Sequence, residues 1–147
     1  MTPRARPVYT PPGGPPAVER PSGAILEALG EEGVFALLEA FYLELEQSEL
    51  RPLFPQDMVA ASRRSAAFFV QLLGGRPLFS EAYGPPRMRA RHLPFEIDER
   101  ARQVWLECFR RTLEARGPEL GLPEEHISGM DAFLEGFSAW MVNVAPE

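Results

Sequence analysis

The chain has 147 residues, enough for one domain with a sizeable core and too few for two ordinary ones. A net charge of -6 argues against a general nucleic-acid binder, and no apolar run approaches the roughly 20 residues of a membrane span. The single Cys108 excludes an internal disulfide framework and also the C-x-x-C-H run of covalently attached haem. The first residues lack the apolar core of a signal peptide, so a cytoplasmic protein is expected.

Residues 1–23 (MTPRARPVYTPPGGPPAVERPSG) hold seven of the 16 prolines and almost no large apolar side chains. Such a segment buries too little surface to offset its ordering entropy, and it reads as a flexible, partly polyproline arm. It could also pack across a homodimer, although nothing in its composition requires that. Residues 24–147 then form the domain, with helical patterning throughout. A short helix is expected over about Ala24 to Leu29, ending at Gly30. A longer one follows, with Val34, Leu38, Phe41, Tyr42 and Leu45 on one face.

RPLFPQD breaks this helix with two prolines. The next, about Met58 to Leu73, groups Ala61, Ser65, Phe68, Phe69 and Leu72 and stops at Gly74-Gly75. A loop rich in Gly and Pro is expected to about residue 86, then a turn or two of helix at Met88-Arg89-Ala90-Arg91-His92, cut short by Pro94. Asp98 can cap a helix whose inward face carries Trp105, Cys108, Phe109, Thr112 and Leu113. GPELGLP separates it from a last helix with Met130, Phe133, Leu134, Phe137, Met141 and Val144 in register. With almost no alternating pattern, the fold class is all-α, of about five principal helices.

Two stretches invite a chemical reading. RARHLPF sets His92 behind a row of arginines and before apolar bulk. A lone histidine is a poor zinc site, which wants three or four ligands, whereas a porphyrin supplies four nitrogens and needs one axial ligand from the protein. On this segment alone, His92 also reads as an ordinary structural or surface histidine. Tyr42 and Trp105 each carry one donor at the end of a large ring, yet also read as plain core aromatics. Ala61 and Ser65, one turn apart, leave a small-residue gap that a core helix does not need and a ligand could use. His126, in PEEHISG, looks solvent-facing.

AFYLELE, LFPQD, FFVQLLGG, RMRARHLPFEI and VWLECF occur in that order. Together they resemble the group II truncated haemoglobins, from about Ala24 to Val144. The most specific parts are the R-H-x-P-F-x-I run and a Trp placed 13 positions after the histidine. The resemblance implies a truncated globin, a two-on-two helical sandwich around haem, with His92 as axial ligand of a haem b (iron protoporphyrin IX). It implies that Arg91 pairs with a haem propionate, and that Tyr42 and Trp105 are distal donors to a bound gas. Phe54 would pack on the haem where relatives often keep Tyr. Ala61 falls where larger globins keep a distal histidine, and Ser65 replaces a bulkier residue, so both departures leave the access route open. Phe68, Phe69, Met88, Phe95, Ile97 and Met141 are the expected apolar contacts to the cofactor.

The function so implied is reversible binding of dioxygen and other diatomic gases with high affinity. An enzymatic alternative uses the same donors to oxidise nitric oxide or polarise peroxide. Peroxidase chemistry needs a distal acid/base with a pKa near working pH, which Tyr42 and Trp105 do not provide. Nitric oxide dioxygenation needs an external reductase, since no flavin- or nicotinamide-binding Gly motif appears in the chain. A third class is a helical interaction module in which His92 is incidental.

Overall fold

A computed structural model describes residues 6–146; the first five residues of the arm and the terminal Glu147 lie outside it. Six α-helices follow in order: α1 (Ala24–Glu46), α2 (Met58–Leu72), α3 (Leu78–Tyr83), α4 (Met88–His92), α5 (Glu99–Leu120) and α6 (Ile127–Met141). No strand occurs among the described residues. α1 packs on α2 and α5, while α6 packs on α5 and α4. These pairs hold the core between them, and the short α3 and α4 close one side.

The break expected at Gly30 is a kink inside α1, where the backbone reaches φ 69° and ψ 169°, a region open essentially to glycine alone. Past it, Val34, Leu38, Phe41 and Leu45 are buried as their spacing requires. Phe41 is the hinge of the packing. Its ring meets Trp105 edge-on at 5.5 Å and Phe109 at 4.2 Å, both on α5. Burying such a ring contributes about 1.5–3 kcal/mol, and each well-oriented pair about 0.5–1.5 kcal/mol more.

The other helices start and stop for local reasons. Asp57 caps α2 by accepting from the Ala60 N–H at 3.0 Å, and Asp98 caps α5 through Ala101 at 2.7 Å. Gly121 ends α5 in a left-handed conformation.

Four segments depart from the sequence expectation. Residues 78–83, read as loop, form α3. Six residues are too few to show a helical period, but Pro77 before them and Gly84 after them bracket the turn. Gln71 of α2 fastens α3 through both amide atoms, to the Ser80 amide at 2.9 Å and its hydroxyl at 2.8 Å. α5 runs on through Gly117 and Pro118, a turn beyond the expected break, since a proline in the last turn removes only one helical donor.

α6 stops at Met141, leaving Val144 outside it. The chain turns extended at Val142, because the Asn143 and Val144 amides bond to the Ile97 carbonyl at 2.9 and 3.2 Å. The arm, finally, lies on the domain over residues 6–23. The Tyr9 amide donates to the Asn143 carbonyl at 3.0 Å, and Val18 sits against Gly136 of α6. Proline-rich backbone is already extended when free, so ordering it costs less than its lack of apolar residues suggests.

A Cβ added at Gly30 meets nothing within 4 Å, so the cost of a side chain there is backbone strain alone. Gly30→Ala should therefore lower the unfolding free energy by about 1–3 kcal/mol in urea titration. An unchanged midpoint would mean that the kink survives on other supports.

Candidate functional site

α4 has only five residues, too few to be stable as a helix without outside support. Its support comes from its own cations. The Arg91 guanidinium donates to the carbonyls of Pro86 (2.6 Å), Tyr83 (2.8 Å) and Pro85 (2.9 Å), gathering the Gly-Pro-Pro turn beneath it. It also lies 4.9 Å from the centre of the Phe79 ring. Arg89 reaches the other way, to the carbonyls of Trp140, Val142 and Tyr9, with its guanidinium over the Trp140 ring. Arg87, which opens α4, adopts the left-handed conformation that lets the chain turn after two prolines.

His92 ends this helix with its Nδ1 2.6 Å from the Met88 carbonyl. A carbonyl can only accept, so Nδ1 carries the proton and Nε2 keeps its lone pair. Burial pushes the imidazole below its ordinary range, partly opposed by that same hydrogen bond, so the ring is neutral at pH 7. A neutral imidazole oriented by a backbone carbonyl is the form that coordinates a metal.

His92 lines a cavity of about 430 Å³ to which all six helices contribute residues. Tyr42 enters it from α1, Ala61, Ser65, Phe68 and Phe69 from α2, and Trp105 from α5. Phe54 lines it where the chain leaves α1, with its ring 5.6 Å from that of Tyr42. Met88, Arg91, Phe95, Ile97 and Met141 complete the set expected from the sequence, and all of these residues line this one cavity. Phe95 is 43% exposed, an unusual position for a large apolar ring. His126 is elsewhere, half-buried at the start of α6 beside Glu125.

Tyr42 and Trp105 both pack edge-on against the ring of Phe41, at 5.6 and 5.5 Å. Burial pushes the Tyr42 phenol above its ordinary range, with the neighbouring Ser65 hydroxyl and the Arg64 charge pulling the other way. The phenol is thus a neutral hydrogen-bond donor at any physiological pH.

Several lining residues escaped the sequence reading: Leu50, Leu53, Arg64, Phe79, Arg102 and Ser138 among them. Arg64 had a signal, since it lies on the same helical stripe as Ala61, Ser65 and Phe68. Phe79 was hidden by the reading of α3 as loop. Arg102 is tied to Ser138, to the Glu135 carbonyl and to Glu99, and so fastens α5 to α6 at the cavity wall.

The donor set suits one kind of cofactor. The walls are mostly aromatic and aliphatic, and no carboxylate is among the lining residues. The one lining histidine offers one metal bond, and no group of three or more metal-ligating side chains occurs among the described residues. Arg64 and Arg91 have no carboxylate within ion-pair distance among those residues, and their charge favours an anionic edge. A flat apolar macrocycle bearing carboxylates and a metal with one vacant protein-side position, as in haem, fits these residues.

Comparison with known proteins agrees. A family model for bacterial-like globins matches residues 24–139. The group 2 truncated hemoglobin YjbI of Bacillus subtilis is 39% identical over 118 residues, 80% of this chain and 86% of that protein. Among solved structures, the truncated oxygen-avid haemoglobin from Bacillus subtilis superposes with a TM-score of 0.73 at 36% identity, covering 80% of this chain and 98% of the other. Phosphate-bound Hell's gate globin IV superposes with a TM-score of 0.82 at 33% identity, covering 90% of this chain and 82% of the other. That share is more than residues 24–147 can supply, so this likeness takes in part of the arm. No helix among the described residues is long and apolar enough to cross a membrane. An all-helical sandwich around an apolar cavity, with one neutral histidine in its wall and these relatives, makes the chain a member of the bacterial-like globin family, of the group II truncated haemoglobin kind.

Proposed function

We propose that this globin holds a haem b through His92 and binds dioxygen and other diatomic gases reversibly, with high affinity. The observation that carries the proposal is the His92 imidazole: neutral, locked by the Met88 carbonyl, and presented to a cavity that Tyr42 and Trp105 also enter. Haem supplies, when bound, an iron that takes a diatomic gas reversibly. The protein supplies everything that tunes the exchange.

His92 would hold the iron through its Nε2 lone pair. Arg91, fixed by three carbonyls, places a permanent positive charge at the cavity wall to balance propionates, and Arg64 adds a second. Phe68, Phe69, Met88, Phe95, Ile97 and Met141 line the cavity and would pack on the ring. Tyr42 and Trp105 would offer phenol and indole donors to a gas held there, and such donors favour one that carries partial negative charge, as dioxygen does. In a dry pocket one such hydrogen bond contributes about 1–3 kcal/mol. At about 1.4 kcal/mol per factor of ten, two donors slow dissociation by about 10²-fold or more. Slow release suits retention of the gas better than its delivery.

Peroxide turnover fits the site less well. No Asp, Glu or second His is among the lining residues, so nothing there can pass a proton to or from peroxide near neutral pH.

Three measurements test the reading. The purified protein should show a Soret band, and His92→Gly should lose it or change its position; an identical spectrum would remove the assignment of His92. In stopped-flow experiments, Trp105→Phe and Tyr42→Phe should each release oxygen about 10-fold faster or more. Unchanged rates in both would eliminate the two-donor account. Ser65→Leu should slow ligand uptake by filling the gap beside Tyr42, and an unaltered association rate would place the access route elsewhere.

A further inference from the structure

The arm and the C-terminal segment converge on the backbone that follows His92. Arg6 bridges the two. Its Nη2 donates to the Leu93 carbonyl at 2.8 Å and the Phe95 carbonyl at 2.9 Å, and lies 3.0 Å from Oδ1 of Asn143; its Nη1 donates to the Asn143 carbonyl at 3.2 Å. Asn143 is fully buried. Its Oδ1 also accepts the Ile97 amide at 3.0 Å, and its Nδ2 donates to the Phe95 carbonyl at 2.9 Å and the His92 carbonyl at 3.2 Å. One amide side chain therefore grips both ends of the His92–Ile97 loop and is itself held by a guanidinium from residue 6.

The path of the arm is built for this contact. Gly136 of α6 is bare where Val18 crosses it: a Cβ there would lie 2.5 Å from Val18 Cγ1. Farther on, Arg89 of α4 accepts the arm by donating to the Tyr9 carbonyl at 2.8 Å. The acceptors of Arg6 all belong to the loop after His92 and to Asn143, none to the outer surface of α6 that a mere covering strand would use.

We propose that Arg6 and Asn143 are positioning residues for His92, and that the N-terminal arm is thereby a working part of the proximal wall. The inference rests on the haem reading above. Without Arg6, the Leu93 carbonyl loses its side-chain donor and Asn143 loses its charged partner. The backbone on the C-terminal side of His92 then gains freedom, while Met88 still holds the imidazole from the N-terminal side. The histidine would keep its tautomer and lose its fixed tilt.

The test uses the full-length, haem-loaded protein and compares wild type with Arg6→Ala, Arg6→Lys and Arg100→Ala. Arg100 pairs with the exposed Glu49 and serves as a control for removing a surface guanidinium. Two readouts are followed: the rate of haem transfer to an acceptor apoglobin, and the iron–histidine stretching band of the ferrous protein by resonance Raman. Arg6→Ala should lose haem about tenfold faster, the size of one charge-assisted hydrogen bond, with a shifted or broadened band. Arg6→Lys should fall between it and wild type, and Arg100→Ala should match wild type. Wild-type haem loss and an unmoved band in Arg6→Ala overturn the proposal, even if its melting temperature falls, because that pattern is a purely structural role. A wild-type protein without a Soret band sinks the haem reading and this inference with it; a red wild type with an indifferent Arg6→Ala sinks this inference alone.

Discussion

A five-residue helix has no stability of its own, and in this protein it carries the histidine on which the site depends. Its position is therefore decided by hydrogen bonds between it and segments outside it. Arg91 holds the turn before it, Arg89 ties it to the end of α6 and to the arm, and Asn143 takes the carbonyl of His92 itself. The arginine-rich composition of RARHLPF thus has a structural use beside any electrostatic one. Guanidinium groups can bond several carbonyls at once, which suits a segment without regular structure of its own.

The rest of the domain keeps a cavity open against the tendency of apolar side chains to close it. Phe41 contributes by packing against both Tyr42 and Trp105 and pinning α1 to α5. The two donor-bearing rings are anchored on the same neighbour, so their separation is set by packing rather than by their own rotamers. Small residues then matter as much as large ones. Ala61 and Ser65 leave room on α2 where a leucine would fill the space, and the Ser65 hydroxyl lies beside the Tyr42 phenol.

Polar groups inside the fold are few, and each has a partner. No buried side-chain nitrogen or oxygen is left without a hydrogen bond among the described residues. Asn143 is the most enclosed of them, and it bonds the loop after His92 at both ends as well as Arg6 of the arm. An unsatisfied buried amide is costly, so such a residue enforces one backbone arrangement around it. The surface ion pairs, by contrast, are exposed and contribute little: Arg76 with Glu31 and Arg100 with Glu49 are of this kind.

Much of this was legible in the chain itself. The 3.6-residue spacing of Val34, Leu38, Phe41 and Leu45 located α1, Gly30 its kink, and Asp98 the start of α5, because period, glycine and cap are local signals. The order of five motifs pointed to the globin family and to His92. What local signals could not carry were the contacts between distant segments. α3 was missed because six residues show no period, and the end of α6 was misplaced because Ile97, far away in sequence, captures Asn143 and Val144. The arm read as free because composition reports how much apolar surface a segment can bury, not whether four acceptors await its arginine. Sequence alone located the longer helices and the side chains expected to serve a haem; only the tertiary structure decided what holds the His92 backbone, since hydrogen bonds linking residues 6, 92 and 143 exist only once the chain has folded.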